Sequence, residues 1–266
     1  MTTKTTGARM PVLFVGHGSP MNAIQDNAWS RGFAALGTAL RTPSAILAVS
    51  AHWYVDGTLV TNDDHPETIH DFGGFPRALF EIQYPARGSA DLAGQVVDLL
   101  AARQARRSAD WGLDHGTWSV LHHLRPAADV PVVQLSIDRR LAPSEHLEIG
   151  RALAPLRDQG VLIMASGNVT HNLGHAVQSM RTRDTSQPGW ASRFDRQIET
   201  ALVQRDHGQL ARAITSDDGR LSHPSPDHYL PLLYAAGASS DDDAVAFPVT
   251  GWDAGSLSMR SVQFGH

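Results

Sequence analysis

Two hydrophobic regimes alternate along this chain. Short, nearly continuous apolar runs occur at Val12–Val15, Ala45–Val49, Val130–Leu135 and Val161–Met164, each bounded by turn residues. Runs of this length without a polar face predict buried strands. Between them, apolar residues recur at helical spacing: Trp29, Phe33, Leu36 and Leu40, then Leu92, Val96, Leu99 and Leu100, then Trp190, Phe194, Ile198 and Leu202. Ser89 is placed to cap the second helix. The loosely alternating segment Ser256–Phe264 predicts an edge strand. Strands interleaved with helices predict an α/β fold, with a central, mostly parallel mixed sheet flanked by helices. No repeat or low-complexity linker divides the chain. The expected organisation is a flexible tail over residues 1–10 and a single domain over residues 11–266. Asp241, Asp242 and Asp243, beside Ser239 and Ser240, read as an exposed loop.

No apolar run approaches the ~20 residues of a membrane span. The first apolar stretch is also shorter than the ~7–15 residues of a signal-peptide core, so a cytoplasmic location is expected. A net charge of −5 provides no basic field for nucleic acid or an anionic membrane. The 266 residues include no cysteine, which excludes disulfides, thiolate zinc sites, iron–sulfur clusters and a cysteine nucleophile. They include 14 histidines, so a metal here would rest on imidazole and carboxylate. Neither phosphate-binding glycine motif is present, nor is the G-x-S-x-G elbow of a serine hydrolase.

Three of the four apolar runs lead into a histidine: His17 in Gly16-His17-Gly18-Ser19-Pro20, His52 in Ser50-Ala51-His52-Trp53, and His171 in Gly167-Asn168-Val169-Thr170-His171-Asn172. Ligands of open α/β sheets collect beyond the carboxyl ends of strands, where such imidazoles can converge. Gly16 and Gly18 allow a tight turn around His17. A further cluster is His223-Pro224-Ser225-Pro226-Asp227-His228. Ser225 as N-cap and Pro226 at N1 predict a helix start there, with His228 in its first turn. A protonated imidazole is disfavoured at that end of the helix dipole, whereas a neutral, metal-bound one fits. Asp227 reads as a helix-start acid rather than a partner of His228. His223 reads equally well as a site residue or a turn residue. His115, in Asp114-His115-Gly116-Thr117-Trp118, reads equally well as a substrate donor or a loop histidine. His171 and His175 have the spacing of one helix face. His65, His70, His146, His207 and His266 read as solvated.

Taken together, these segments resemble the class III extradiol ring-cleavage dioxygenases, and most closely the 4,5-DOPA extradiol dioxygenase branch. The likeness runs in order through Gly16–Met21, Ser50–Trp53, Leu113–Trp118, Gly167–Asn172 and His223–His228. His70–Pro76 and Tyr84-Pro85-Ala86 also resemble that branch, as substrate-side loops. The resemblance implies one α/β domain with a non-haem metal site at the C-terminal ends of the strands. By position, His17, His52 and His228 match metal ligands. His171 matches a histidine that acts on the substrate hydroxyl or joins the metal as a further ligand, and His115 a second pocket histidine. Many class III enzymes complete the site with a carboxylate. Here the matching residue is His228, as in the DOPA branch.

The implied reaction is ring opening of a catechol, DOPA-like or related, with both atoms of O2 incorporated. His171 would be the chief acid–base group and His115 would assist. Iron(II) is expected for activity, and zinc(II) fits the same three histidines as a bound metal. Trp53, Phe72, Phe75, Trp118 and His223 are candidate substrate contacts, and an arginine such as Arg87 could pair with a substrate carboxylate. Expected partners are a small-molecule catechol and O2, with no nucleic acid or membrane. A homo-oligomer, a zinc-dependent hydrolase and a non-catalytic metal- or ligand-binding protein of the same fold stay open on sequence.

Overall fold

A computed structural model describes residues 9–266. The elements in chain order begin with β1 (Val12–Gly16), α1 (Ala28–Ala39), β2 (Ala45–Val55), β3 (Leu59–Thr61), α2 (Arg77–Phe80), α3 (Ala90–Leu99) and β4 (Arg106–Ser108). They continue with α4 (His115–Leu124), β5 (Val132–Asp138), α5 (Pro143–Leu153), β6 (Val161–Gly167), α6 (Leu173–Thr182), α7 (Gly189–Val203), α8 (His207–Ala213) and α9 (Asp217–Ser222). The chain ends with α10 (Leu230–Ala238), β7 (Val245–Ala246), β8 (Trp252–Asp253), β9 (Leu257–Ser258) and β10 (Val262–Phe264).

Eight strands form one mixed sheet in the order β4-β3-β5-β2-β6-β1-β10-β7. The central β5, β2, β6 and β1 run parallel, so their carboxyl ends share one edge. Side chains of β1 alternate between two cores. Val12 and Phe14 join the side covered by α5, α7 and α10, while Leu13 and Val15 join the side covered by α1 and α4. Coverage on both faces explains why these strands read as unbroken apolar runs. The helix α10 is buried at every position, which accounts for its lack of a polar face.

All four apolar runs form strands, and the three spaced apolar sets form α1, α3 and α7. Ser89 caps α3, its hydroxyl accepting from Leu92 N–H. Four expectations are corrected. The C-terminal strand β10 is interior, because β7 pairs on its far side. No helix begins at Pro226. Ser225 donates to Asp227 instead, and α10 starts at Leu230. Asp243 is not simply part of an exposed loop, because the buried Arg157 guanidinium donates to both of its oxygens at 2.7 and 2.8 Å. His171 and His175 do not share a helix face, since α6 begins after His171. The expected tail falls mainly on residues outside those described. Met10, at its end, is fully buried, and its N–H donates to Arg157 O.

Among the described residues no helix is long and apolar enough to cross a membrane.

Candidate active site

The carboxyl edge of the parallel strands carries the histidines. His17 follows β1, and its N–H donates to Gly167 O at the end of β6 at 3.0 Å. His52 lies in β2 where the register with β5 shifts between Val49 and Tyr54, an irregularity that re-aims side chains. His228 precedes α10, and its carbonyl accepts from Asn168 N–H at 2.9 Å. Gly167 allows that approach, because a Cβ there would stand 2.2 Å from His228 O. Gly18 takes φ +60°, the left-handed conformation that turns the chain away after His17.

One ring nitrogen each from His17, His52 and His228 can be chosen so that all three lie within 4.8 Å of one another. The Nε2 atoms of His17 and His52 are 3.3 Å apart. The opposite ring nitrogens explain which tautomer each holds. Ser166 Oγ donates to Gly116 O, so its lone pair accepts from His17 Nδ1–H at 2.9 Å. His52 Nδ1 donates to Asp71 Oδ2 at 3.2 Å, and His228 Nδ1 donates to Asp227 Oδ2. With every Nδ1 protonated, each Nε2 presents a lone pair. Two such lone pairs facing each other at 3.3 Å repel unless a cation lies between them. The donor set therefore fits a metal ion. Burial, reinforced by the neighbouring histidines, holds the pKa values of His17 and His228 well below the usual imidazole value. Burial and His115 do the same to His52, against the charge of Asp71. All three are neutral, as metal ligation requires.

His171 stands outside this group. Its ring stacks flat on His228, with centroids 3.5 Å apart and planes 1° from parallel. His115, the first residue of α4, lies 3.8 Å from the His52 ring centroid. Its backbone N–H and Nδ1 both donate to Asp71 Oδ1, at 3.0 and 2.9 Å. Asp114 caps α4 and is fully buried. Burial, with Asp71 nearby, pushes its carboxyl up to about 6. It accepts from Ser50 Oγ–H, Thr117 N–H, Gln134 Nε2–H and Trp111 Nε1–H.

A cavity of about 610 Å³ opens over these rings. His17, His52, His115, His171 and His228 line it, with Phe72 and Phe75 adding an aromatic wall. Leu173, Ala176 and Met180, spaced along α6, add an aliphatic one. Three candidates lie elsewhere. Trp53 is buried and stacks on Trp111, outside the cavity lining. Trp118 is fully buried, donates to Ile69 O, and supports Phe72 from behind. His223 packs between Phe194 and Tyr229, and its Nε2 donates to Val169 O. Among the described residues no arginine lines the cavity, and Arg87 is exposed away from it. His146 is buried rather than solvated, bonded to Tyr234 Oη.

Of the three oxygen partners of the cluster, Ser166 and Asp71 have no such role on sequence, and Asp227 is corrected from a helix-start acid to the partner of His228 Nδ1. Asp227 was legible only as the neighbour of His228, and Asp71 only as part of a loop resembling the DOPA branch. Ser166 carries no signal beyond its place at the end of an apolar run.

Comparison with known proteins agrees with this geometry. A family model described as the catalytic LigB subunit of aromatic ring-opening dioxygenase matches residues 11–263. A 4,5-DOPA dioxygenase extradiol of Escherichia coli (strain K12) is 46% identical over 265 residues, covering 98% of this chain and 96% of that protein. One from Beta vulgaris is 38% identical over 258 residues, covering 94% of this chain and 95% of the relative. The crystal structure of an uncharacterized protein from Escherichia coli K12 superposes with a TM-score of 0.85 at 42% identity, over 97% of this chain and 100% of that one. The chain belongs to the LigB family of extradiol, aromatic ring-opening dioxygenases, in the branch that contains the 4,5-DOPA enzymes.

Proposed function

We propose that this dioxygenase opens a DOPA-like catechol beside its diol, using one iron(II) held by His17, His52 and His228. The observation that carries this reading is the convergence of one ring nitrogen each from His17, His52 and His228, three rings whose Nδ1 atoms all bond an oxygen. When bound, iron(II) supplies a Lewis-acidic, redox-active centre that acidifies the diol and relays electron density from it to O2.

The surrounding residues move protons and exclude water. His171 faces the cavity beside His228, within reach of a substrate anchored at the three nitrogens. Burial lowers its pKa to about 4, although Asp227 opposes the shift. It is therefore neutral at pH 7 and can accept a hydroxyl proton, then return it to an oxygen as the ring opens. Asp71 fixes the Nδ1–H form of His115 and leaves its Nε2 for the substrate. Phe72 and Phe75 flank an aromatic ring and shield it from solvent.

The test is to strip the protein of metal and reload it without oxygen, using iron(II) or zinc(II). DOPA and other catechols are then supplied with O2. Oxygen uptake and a yellow ring-opened product are expected with iron(II) only, because zinc has no redox chemistry. No uptake with any catechol, or turnover that needs zinc and not O2, would overturn the reading.

A further inference from the structure

The cavity carries an unusual charge pattern for a site receiving a substituted catechol. Its lining contains two carboxylates, Asp71 and Asp253, and no arginine or lysine among the described residues. Asp71 is engaged by His52 and His115. Asp253 is different. Burial pushes its carboxyl up from the usual carboxylate value, countered only by the backbone N–H of Ala254 and by no cation. A partly desolvated carboxylate without a cationic partner is an acceptor waiting for one.

Its position is well fixed. Asp253 lies on β8, paired with Leu257 of β9 in a small hairpin. Ala254 and Gly255, both at positive φ, make the turn. Asp253, Ala254 and Leu257 all face the cavity. The hairpin is bonded to both sides of His171. Thr170 Oγ1 donates to Ser256 O at 2.7 Å, Ser258 N–H donates to Thr170 O at 3.2 Å, and Ser256 Oγ donates to Asn172 O at 3.1 Å. The carboxylate is thereby held in register with the histidine that faces the reacting end of the cavity.

We propose that Asp253 is a specificity-determining residue that accepts an ammonium group on the substrate side chain, so that the cavity selects amine-bearing catechols over those bearing only a carboxylate. The inference rests on the reading of this cavity as catechol-binding and adds the charge of the side chain it takes. Selection has an attractive and a repulsive part. The ammonium gains a charge-assisted hydrogen bond, while a lone substrate carboxylate meets Asp253 with no cation to offset it. The aliphatic wall of Leu173, Ala176 and Met180 accommodates the side-chain methylenes without charge preference.

The test compares three catechols on the iron-loaded enzyme: dopamine, 4-ethylcatechol and 3,4-dihydroxyphenylacetate. The expected order of kcat/KM places dopamine above 4-ethylcatechol and 3,4-dihydroxyphenylacetate last, with the differences mainly in KM. In Asp253→Asn the dopamine to 4-ethylcatechol ratio falls about tenfold, the size of a lost charged hydrogen bond. Asp253→Glu restores part of it. A ratio within one preparation is independent of the fraction that folds. Calorimetric binding of tyramine, 4-ethylphenol and 4-hydroxyphenylacetate to the zinc-loaded protein is expected to give the same order without turnover. If no catechol is turned over, the proposed function fails and the binding series alone decides the role of Asp253. A carboxylate series that matches the amine series, or a ratio unchanged in Asp253→Asn, overturns the proposal.

Discussion

Asp71 grips His115 at two points with one oxygen, accepting from its backbone N–H and its ring Nδ1–H at 3.0 and 2.9 Å. The other oxygen of Asp71 takes Nδ1–H of His52 at 3.2 Å. One carboxylate thus sets the tautomer of one histidine of the three-nitrogen cluster and of a second histidine that lines the cavity. Burial pushes the Asp71 carboxyl up, but the side-chain and backbone hydrogen bonds of His115, with the charge that His115 and His52 carry when protonated, outweigh it and hold it below the usual carboxylate range. Asp71→Asn should therefore weaken both functions together. An amide can accept from one ring but places an N–H against the other. Metal affinity, measured by competition with a chelator, should fall about 10–100-fold. Unchanged affinity would show that His52 is oriented by packing alone.

His171 and the three converging histidines should separate cleanly in mutants. His171 lies outside the close group and contacts it by stacking on His228. His171→Gln should retain its metal and lose about 10²–10⁴-fold in kcat, the usual cost of losing an acid–base group. His17→Ala and His52→Ala should emerge with little metal. Elemental analysis of each purified variant checks the split. An empty site in His171→Gln would make His171 a fourth ligand.

Gly167→Ala tests the packing that seats His228. The added Cβ would meet His228 O at 2.2 Å and its carbonyl carbon at 3.1 Å, and backbone atoms cannot swing aside. The segment holding His228 must shift. The expected cost is about 1–3 kcal/mol in denaturant unfolding, typical of overpacking, together with weaker metal binding. Wild-type metal affinity in this variant would show that the segment can move without moving the imidazole.

How far the sequence revealed this site depended on the kind of signal each residue carried. Buried strands announced themselves because both faces of the sheet are covered, and His17 and His52 followed from where those strands lead. Trp53 was misplaced by treating neighbours alike. Trp53 directly follows His52, yet it is buried against Trp111 and does not line the cavity. The helix near His228 was placed early because Ser225 looked like a cap, whereas its hydroxyl bonds Asp227 and the helix starts five residues later. Asp71 acts on His52 and His115, both distant in sequence, and single-sequence patterns do not encode long-range pairing. His146 reads as solvated beside Glu145 and Glu148, yet it lies on the buried face of α5 with Leu147, Ile149, Gly150 and Leu153.

That buried histidine gives the acid limb of stability a testable component. His146 Nδ1 bonds Tyr234 Oη at 3.0 Å, and the ring is fully buried. Burial lowers its pKa to about 4, against the charges of Asp138 and Glu145, from 6.5 in the open chain. Above pH 6.5 both states are neutral there and its contribution to stability is complete. Between pH 6.5 and 4 the unfolded chain takes up a proton that the folded protein refuses, so stability falls as pH falls. At pH 5 the loss from this residue is about 2 kcal/mol, since each pH unit below 6.5 costs about 1.4 kcal/mol until the folded form titrates. His146→Gln keeps a polar partner for Tyr234 and does not titrate. Urea unfolding at pH 7 and pH 5 should show the variant losing about 2 kcal/mol less than the parent on acidification. Parallel losses in the two proteins would mean that His146 is protonated in the folded state.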